Sequence, residues 1–200
     1  MGISSLALAS CSAPTVWAPD ADVARAFAPP VGSPSLTLYT MKNTGSDNGA
    51  HSGLLINASQ RVIFDPAGSF AVSTLPERND VIFGMTPRME AFYASFHARE
   101  TYYVIAQRIE VPAAVAEQAL QLALANGPVP KAGCTRATSA LLRQLPGFET
   151  IRPTFFPDNL YDAVAKLPNV ETKTYRENDD DDKRIAAREI NNAIQAAPLE

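Results

Sequence analysis

The sequence predicts an α+β domain built on an antiparallel sheet. Alternating or β-branched apolar stretches lie at 35–41 (SLTLYTM), 51–56 (HSGLLI), 61–65 (RVIFD) and 101–111 (TYYVIAQRIEV), each short enough for a strand. The four residues NASQ at 57–60 separate the second stretch from the third, which makes them the arms of a hairpin. The chain has 200 residues, 46% of them hydrophobic and 19% charged, enough for a single domain with a sizeable core.

Taken in order, Ser35 to Met41 forms the first strand, and KNTGSDNGA at 42–50 is a turn-rich loop. His51 opens the next strand through Ile56, and the return arm ends at Pro66-Ala67-Gly68. A helix is expected over 86–98. The stretch 101–111 is the strongest strand, rich in aromatic and β-branched residues. Pro112 starts the helix AAVAEQALQLALANG, which Gly127 stops. A cysteine then opens the helix GCTRATSALLRQL at 133–145, which Pro146-Gly147 breaks, and a short helix begins near Pro157-Asp158.

Charge excludes some functions. A formal net charge of -4, with scattered lysines and arginines, argues against nucleic-acid binding. No metal or nucleotide cofactor is indicated, since no His/Cys cluster has ligand spacing and no glycine-rich phosphate loop is present. The tetrad Leu8-Ala9-Ser10-Cys11 resembles a bacterial lipobox, in which the cysteine receives a diacylglycerol, although the basic region of a signal peptide is missing. Met1-Gly2 and Leu199-Glu200 resemble cloning junctions, so the sequence is expected to begin inside a signal sequence. The bland alternative is an alanine-rich terminus in which Cys11 has no role. Residues 1–34 are accordingly read as a truncated signal and proline-rich tether, 35–175 as the domain, and 176–200 as an acidic run and a C-terminal helix.

Cys11 and Cys134 are the two cysteines. Lipidation of Cys11 leaves Cys134 without a disulfide partner, and an unpaired thiol in an exported protein is a candidate nucleophile. A buried structural cysteine and a Cys11–Cys134 disulfide remain open alternatives. At a helix N-terminus, Cys134 meets unpaired N–H groups and the positive end of the helix dipole, which favour a thiolate and could hold an oxyanion. His51 supplies a proton acceptor. Asp65 stands fourteen residues later across the hairpin, an even offset that can place it on the same face and let it orient the imidazole.

The segment HSGLLINASQRVIFDPAGSF resembles the histidine hairpin of the NlpC-like cell-wall hydrolases and their circularly permuted papain-like relatives. In those families a His-x-Gly leads through a hairpin to a second polar member of the triad. Histidine precedes cysteine here, so the likeness is to the permuted branch, which includes lecithin:retinol acyltransferase-like enzymes. The later PTFFPDNLYDAV is similar to their Pro-x-x-Leu element, and the likeness covers about residues 35–165. It implies a permuted papain-like fold with Cys134 as nucleophile, His51 as base and Asp65 as orienting residue. Many relatives carry the third member about a dozen residues after the histidine, where this chain has Ile63.

The resemblance further implies a thiol hydrolase cleaving an amide in peptidoglycan peptides at the bacterial cell envelope, periplasm-facing and held to the membrane through Cys11. Alternatives are a lipid or small-molecule amidase, esterase or acyltransferase, or a catalytically silent envelope lipoprotein. Three further residues are pocket candidates: Tyr39 as an oxyanion donor, and Thr135 and Ser139 beyond the nucleophile. His97 could replace His51 as base, but its charge-flanked context favours a surface or structural role. The run Asn178 to Lys183 resembles an enteropeptidase site or an acidic helix start and is assigned no function.

Overall fold

The computed structural model describes residues 13–70 and 72–196, so Cys11 and both terminal dipeptides lie outside the described residues. In chain order the elements are α1 (Asp20–Arg25), β1 (Ser35–Asn43), β2 (Gly49–Asn57), β3 (Arg61–Phe64), β4 (Glu77–Arg78), β5 (Val81–Phe83), α2 (Pro87–His97), β6 (Tyr102–Glu110), α3 (Ala113–Ala125), α4 (Cys134–Leu142), α5 (Pro157–Ala165), β7 (Glu171–Tyr175) and α6 (Lys183–Ala196). The fold is α+β. All seven strands join one antiparallel sheet in the order β4-β5-β3-β2-β1-β6-β7.

Helices cover both faces of this sheet. On one face Leu36, Leu38, Leu54, Ile56, Val62 and Phe64 pack against α3, α4 and α5. On the other, Tyr39, Met41, Leu55, Ile63 and Val104 meet α2 and α6. The alternation SLTLYTM therefore divides β1 between two cores, with its threonines buried as well as its leucines. Phe64 and Phe83 are among the largest fully buried side chains, and truncating either to alanine would cost about 3–5 kcal/mol.

Local signals explain the helix limits. Thr86 caps α2 by accepting from the Met89 amide at 3.3 Å, with Pro87 next in line. Pro112 precedes α3, and Gly127, at φ +73°, turns the chain away after it. Among the described residues no helix is long and apolar enough to cross a membrane.

The described part of the expected tether is not a free linker. Its Ala18 amide donates to Glu77 O at 2.9 Å, the Arg61 amide to Ala28 O at 2.9 Å, and Asn57 Nδ2 to Val31 O and Ser33 O at 2.9 Å each. Prolines on either side of α1 keep the flanking stretches out of the helix, so carbonyls there stay available to the sheet margin. The acidic run is also engaged. Asp179 accepts from Arg99 at 3.3 Å, Asp181 accepts from the Thr101 amide at 3.2 Å, and α6 follows, docked through Ile190, Ala186, Ala187 and Ile194.

Candidate active site

The hairpin register brings His51 and Asp65 together. β2 pairs with β3 through Leu54–Phe64 and Asn57–Arg61, so one step further sets Asp65 opposite Gly53, with His51 two residues along on the same face. The carboxylate reaches the imidazole on this diagonal, Asp65 Oδ1 lying 2.7 Å from His51 Nε2. Glycine makes the approach feasible at two positions. A Cβ on Gly53 would fall 2.3 Å from the Tyr93 hydroxyl and 3.1 Å from Asp65 Oδ1, and one on Gly68 would fall 1.8 Å from Asp65 Oδ2.

Tyr93, from α2, donates to the same Asp65 oxygen at 2.7 Å, so the carboxylate is fixed from two sides. Asp65 is almost fully buried. Burial pushes its pKa up, but the charge and hydrogen bond of His51 outweigh this and hold the carboxyl well below its ordinary range.

Cys134 begins α4, which packs over β2. It carries no disulfide among the described residues. Its sulfur lies 3.7 Å from Thr135 Oγ1, and the Ser52 main-chain N–H is a further donor to it. With Nε2 of His51 committed to Asp65, the other ring nitrogen remains for the thiol. The His51–Cys134 contact does not meet strict hydrogen-bond geometry. The imidazole still dominates the downward influences on the sulfur. Burial pushes the thiol pKa up, while the polar contact and charge of His51, helped by Thr135 and Ser52, bring it down to about 7.

The opposite holds for the base. Burial alone would lower the His51 pKa, but Asp65 raises it, followed by Cys134, to about 10. The imidazole thus holds its proton more tightly than the thiol, and between about pH 7 and about pH 10 the pair exists as thiolate and imidazolium. Such a pair can attack a carbonyl carbon and then protonate a leaving group.

Two neighbours brace this cluster from outside. Asp158, at the start of α5, accepts from the Gly49 amide at 2.8 Å and pairs with Lys42 at 3.3 Å, fixing the strand just before His51. Asp80 fills the two-residue β4–β5 turn, where Asn79 and Asp80 have φ +43° and +67°. Its carbonyl accepts from the Asp65 amide at 2.8 Å, and its carboxylate from the Ala67 amide at 3.1 Å and the Val129 amide at 2.8 Å. One side chain therefore ties the turn after Asp65 to the loop that leads into Cys134.

Three expectations need correction. Tyr39 lies on the α2 face, packs edge-on to Tyr93 and donates to Glu90 at 2.8 Å, so its hydroxyl is occupied and cannot serve an oxyanion. Ser139 is fully buried and structural: its hydroxyl donates to Thr135 O at 2.6 Å and accepts from the Thr154 amide at 3.0 Å. His97 is not at the surface. It is 3% exposed, its ring stacks 6.1 Å from that of His51, and Nδ1 donates to Tyr93 O at 2.9 Å. Burial drives its pKa down to about 3, so it stays neutral and is unsuited to act as the base.

Thr135 does adjoin the sulfur and also lies 3.1 Å from Ser52 Oγ. Tyr93 and Asp80 carried no assignment from the sequence, whereas Gly53 stood in the His-x-Gly pattern and Gly68 at the end of the hairpin arm. Of these two, Asp80 carried a readable signal, the turn-forming pair Asn79-Asp80 just before the apolar Val81-Ile82-Phe83.

Among the described residues, no three His, Cys, Asp or Glu side chains gather as a metal-binding group. No family model, no curated protein and no solved structure matches this chain.

Proposed function

We propose that this protein is a thiol hydrolase on a permuted papain-like fold, cleaving an amide bond through a Cys134 acyl-enzyme. The observation that carries the reading is the imidazole of His51, bound at 2.7 Å by a buried carboxylate and set beside a thiol lowered to about 7. In the proposed reaction the Cys134 thiolate attacks the carbonyl carbon. The His51 imidazolium donates its proton to the departing amine as the C–N bond breaks, and neutral His51 then takes a proton from the water that releases the acid. The N–H groups at the start of α4 are the proposed donors for the oxyanion. The proposed substrate is a peptide amide of peptidoglycan, with Cys11 as the membrane anchor. The histidine hairpin preceding the cysteine helix supports the fold assignment.

Iodoacetamide labelling of Cys134 as a function of pH tests the mechanism. Half-maximal reactivity is expected near pH 7, and His51→Ala should move the midpoint up towards or past the ordinary thiol value of about 8.5, since burial is then opposed only by Thr135 and Ser52. An unshifted midpoint in the wild type would overturn the reading. Incubation with purified sacculi tests the substrate: new muropeptides are expected from the wild type and not from Cys134→Ala.

A further inference from the structure

A cleft of about 250 Å³ opens beside His51, walled by His97, Gly68, Ser69, Tyr102 and Lys183. Two of its polar groups lack a full set of protein partners. The first is Lys183, at the start of α6. Its ammonium contacts Ser69 Oγ at 3.4 Å and the face of Phe96 at 5.1 Å, and no carboxylate lies within ion-pair distance among the described residues. The charged groups near enough to act on it are Asp65, Arg99 and Asp181, of which Asp65 is already committed to His51 and Tyr93. The second is His97. Its Nδ1 must carry the ring proton, because the partner of that nitrogen is a carbonyl, and its buried Nε2 is left as an acceptor without a donor.

The position of the cleft assigns it a half of the substrate. The acyl half becomes bonded to Cys134, whereas the amine half departs with a proton from His51 and so leaves on the histidine side. An amine departing there meets the Lys183 cation, while the buried Nε2 of His97 lies behind the cleft wall.

We propose that this cleft holds the amine half of the substrate and that Lys183 selects amines bearing a free carboxylate, as an α-amino acid does. The assignment rests on the hydrolase reading for which half enters the cleft. An ammonium-to-carboxylate contact in a partly enclosed site is a charge-assisted pair, stronger than a neutral hydrogen bond. The corresponding carboxamide would offer only a neutral acceptor.

Calorimetric titration of the full-length Cys134→Ala protein, which cannot turn substrate over, with N-acetylglycylglycine and its C-terminal amide tests the proposal. The acid is expected to bind at least tenfold more tightly. Lys183→Met in the same background should remove that preference by weakening the acid, and Lys183→Arg should retain it. Equal affinities for acid and amide, no binding of either, or a preference that survives Lys183→Met would overturn the proposal. Failure of the hydrolase reading registers elsewhere: the wild type would leave N-acetylglycylglycine uncleaved while the binding preference stood.

Discussion

His51 is held between a carboxylate and a thiol, and each favours the charged imidazole. The resulting linkage has a definite sign. Its pKa rises from the ordinary value of about 6.5 to about 10 on folding, so its stabilising contribution is fully present below about pH 6.5 and disappears as pH climbs towards about 10. Cys134 acts in the opposite sense, its lowered pKa adding stability as pH rises from about 7 to the ordinary thiol range. The two oppose each other near pH 8, and above that His51 dominates. Urea midpoints are therefore expected to fall between pH 8.5 and 10, and His51→Ala should flatten this fall; an equal slope in both proteins would contradict the coupling. Asp65→Asn removes the charge that raises His51, and alkylation at pH 7 should slow by about fivefold for the first pKa unit that the thiol climbs and about tenfold for each unit beyond it. His51, Asp65 and Cys134 were legible in the sequence because a hairpin with an even offset and a helix start are both local patterns. Tyr93 was not, since nothing in the sequence of α2 records that its hydroxyl crosses the sheet face to Asp65.

At the scale of elements, legibility followed length. Strands β1, β2, β3 and β6 and helices α2, α3, α4 and α5 lie where their patterns placed them. β4 and β5 span two and three residues, too few for any period to register. β7, reading ETKTY, is largely exposed at the sheet edge, where charge and threonine discourage further pairing but hide the strand from an apolar search. The short β4–β5 turn has an effect beyond its size, because Asp80 there binds the chain beside Asp65 and the chain before Cys134. Asp80→Ala would leave the Ala67 and Val129 amides without their acceptor, at about 1–3 kcal/mol of stability for each that water cannot reach. It is also expected to raise the Cys134 midpoint in alkylation, an effect that simple destabilisation would not produce at temperatures where the protein remains folded. Gly68→Ala is the complementary test. Its methyl group would displace the Asp65 carboxylate, so alkylation at pH 7 should slow while the far-UV circular dichroism stays native.

The whole molecule divides into a well-buried body and a lightly attached helix. Helices α3, α4 and α5 bury several side chains each against the sheet, whereas α6 buries only Ile190 among its described residues. A helix held by so little apolar surface opens with a lower free energy than the global transition. The proposed catalytic residues sit on β2, on the turn after β3 and on α4, within the body, while Lys183 lines the cleft from the lightly attached helix. The proposed chemistry and the proposed carboxylate selection would therefore occupy units of different stability. Hydrogen exchange should show α6 amides exchanging faster than those of α3 and α4. Ile190→Asp, which puts a charge into the apolar seam with α2, should undock α6 and abolish the preference for N-acetylglycylglycine over its amide. The Cys134 alkylation midpoint should remain near pH 7 in this variant, since His51, Thr135 and Ser52 are all held by the body. If Ile190→Asp instead raised that midpoint or melted the protein in one concerted transition at much lower temperature, α6 would belong to the same cooperative unit as the nucleophile, and the division of labour would fail.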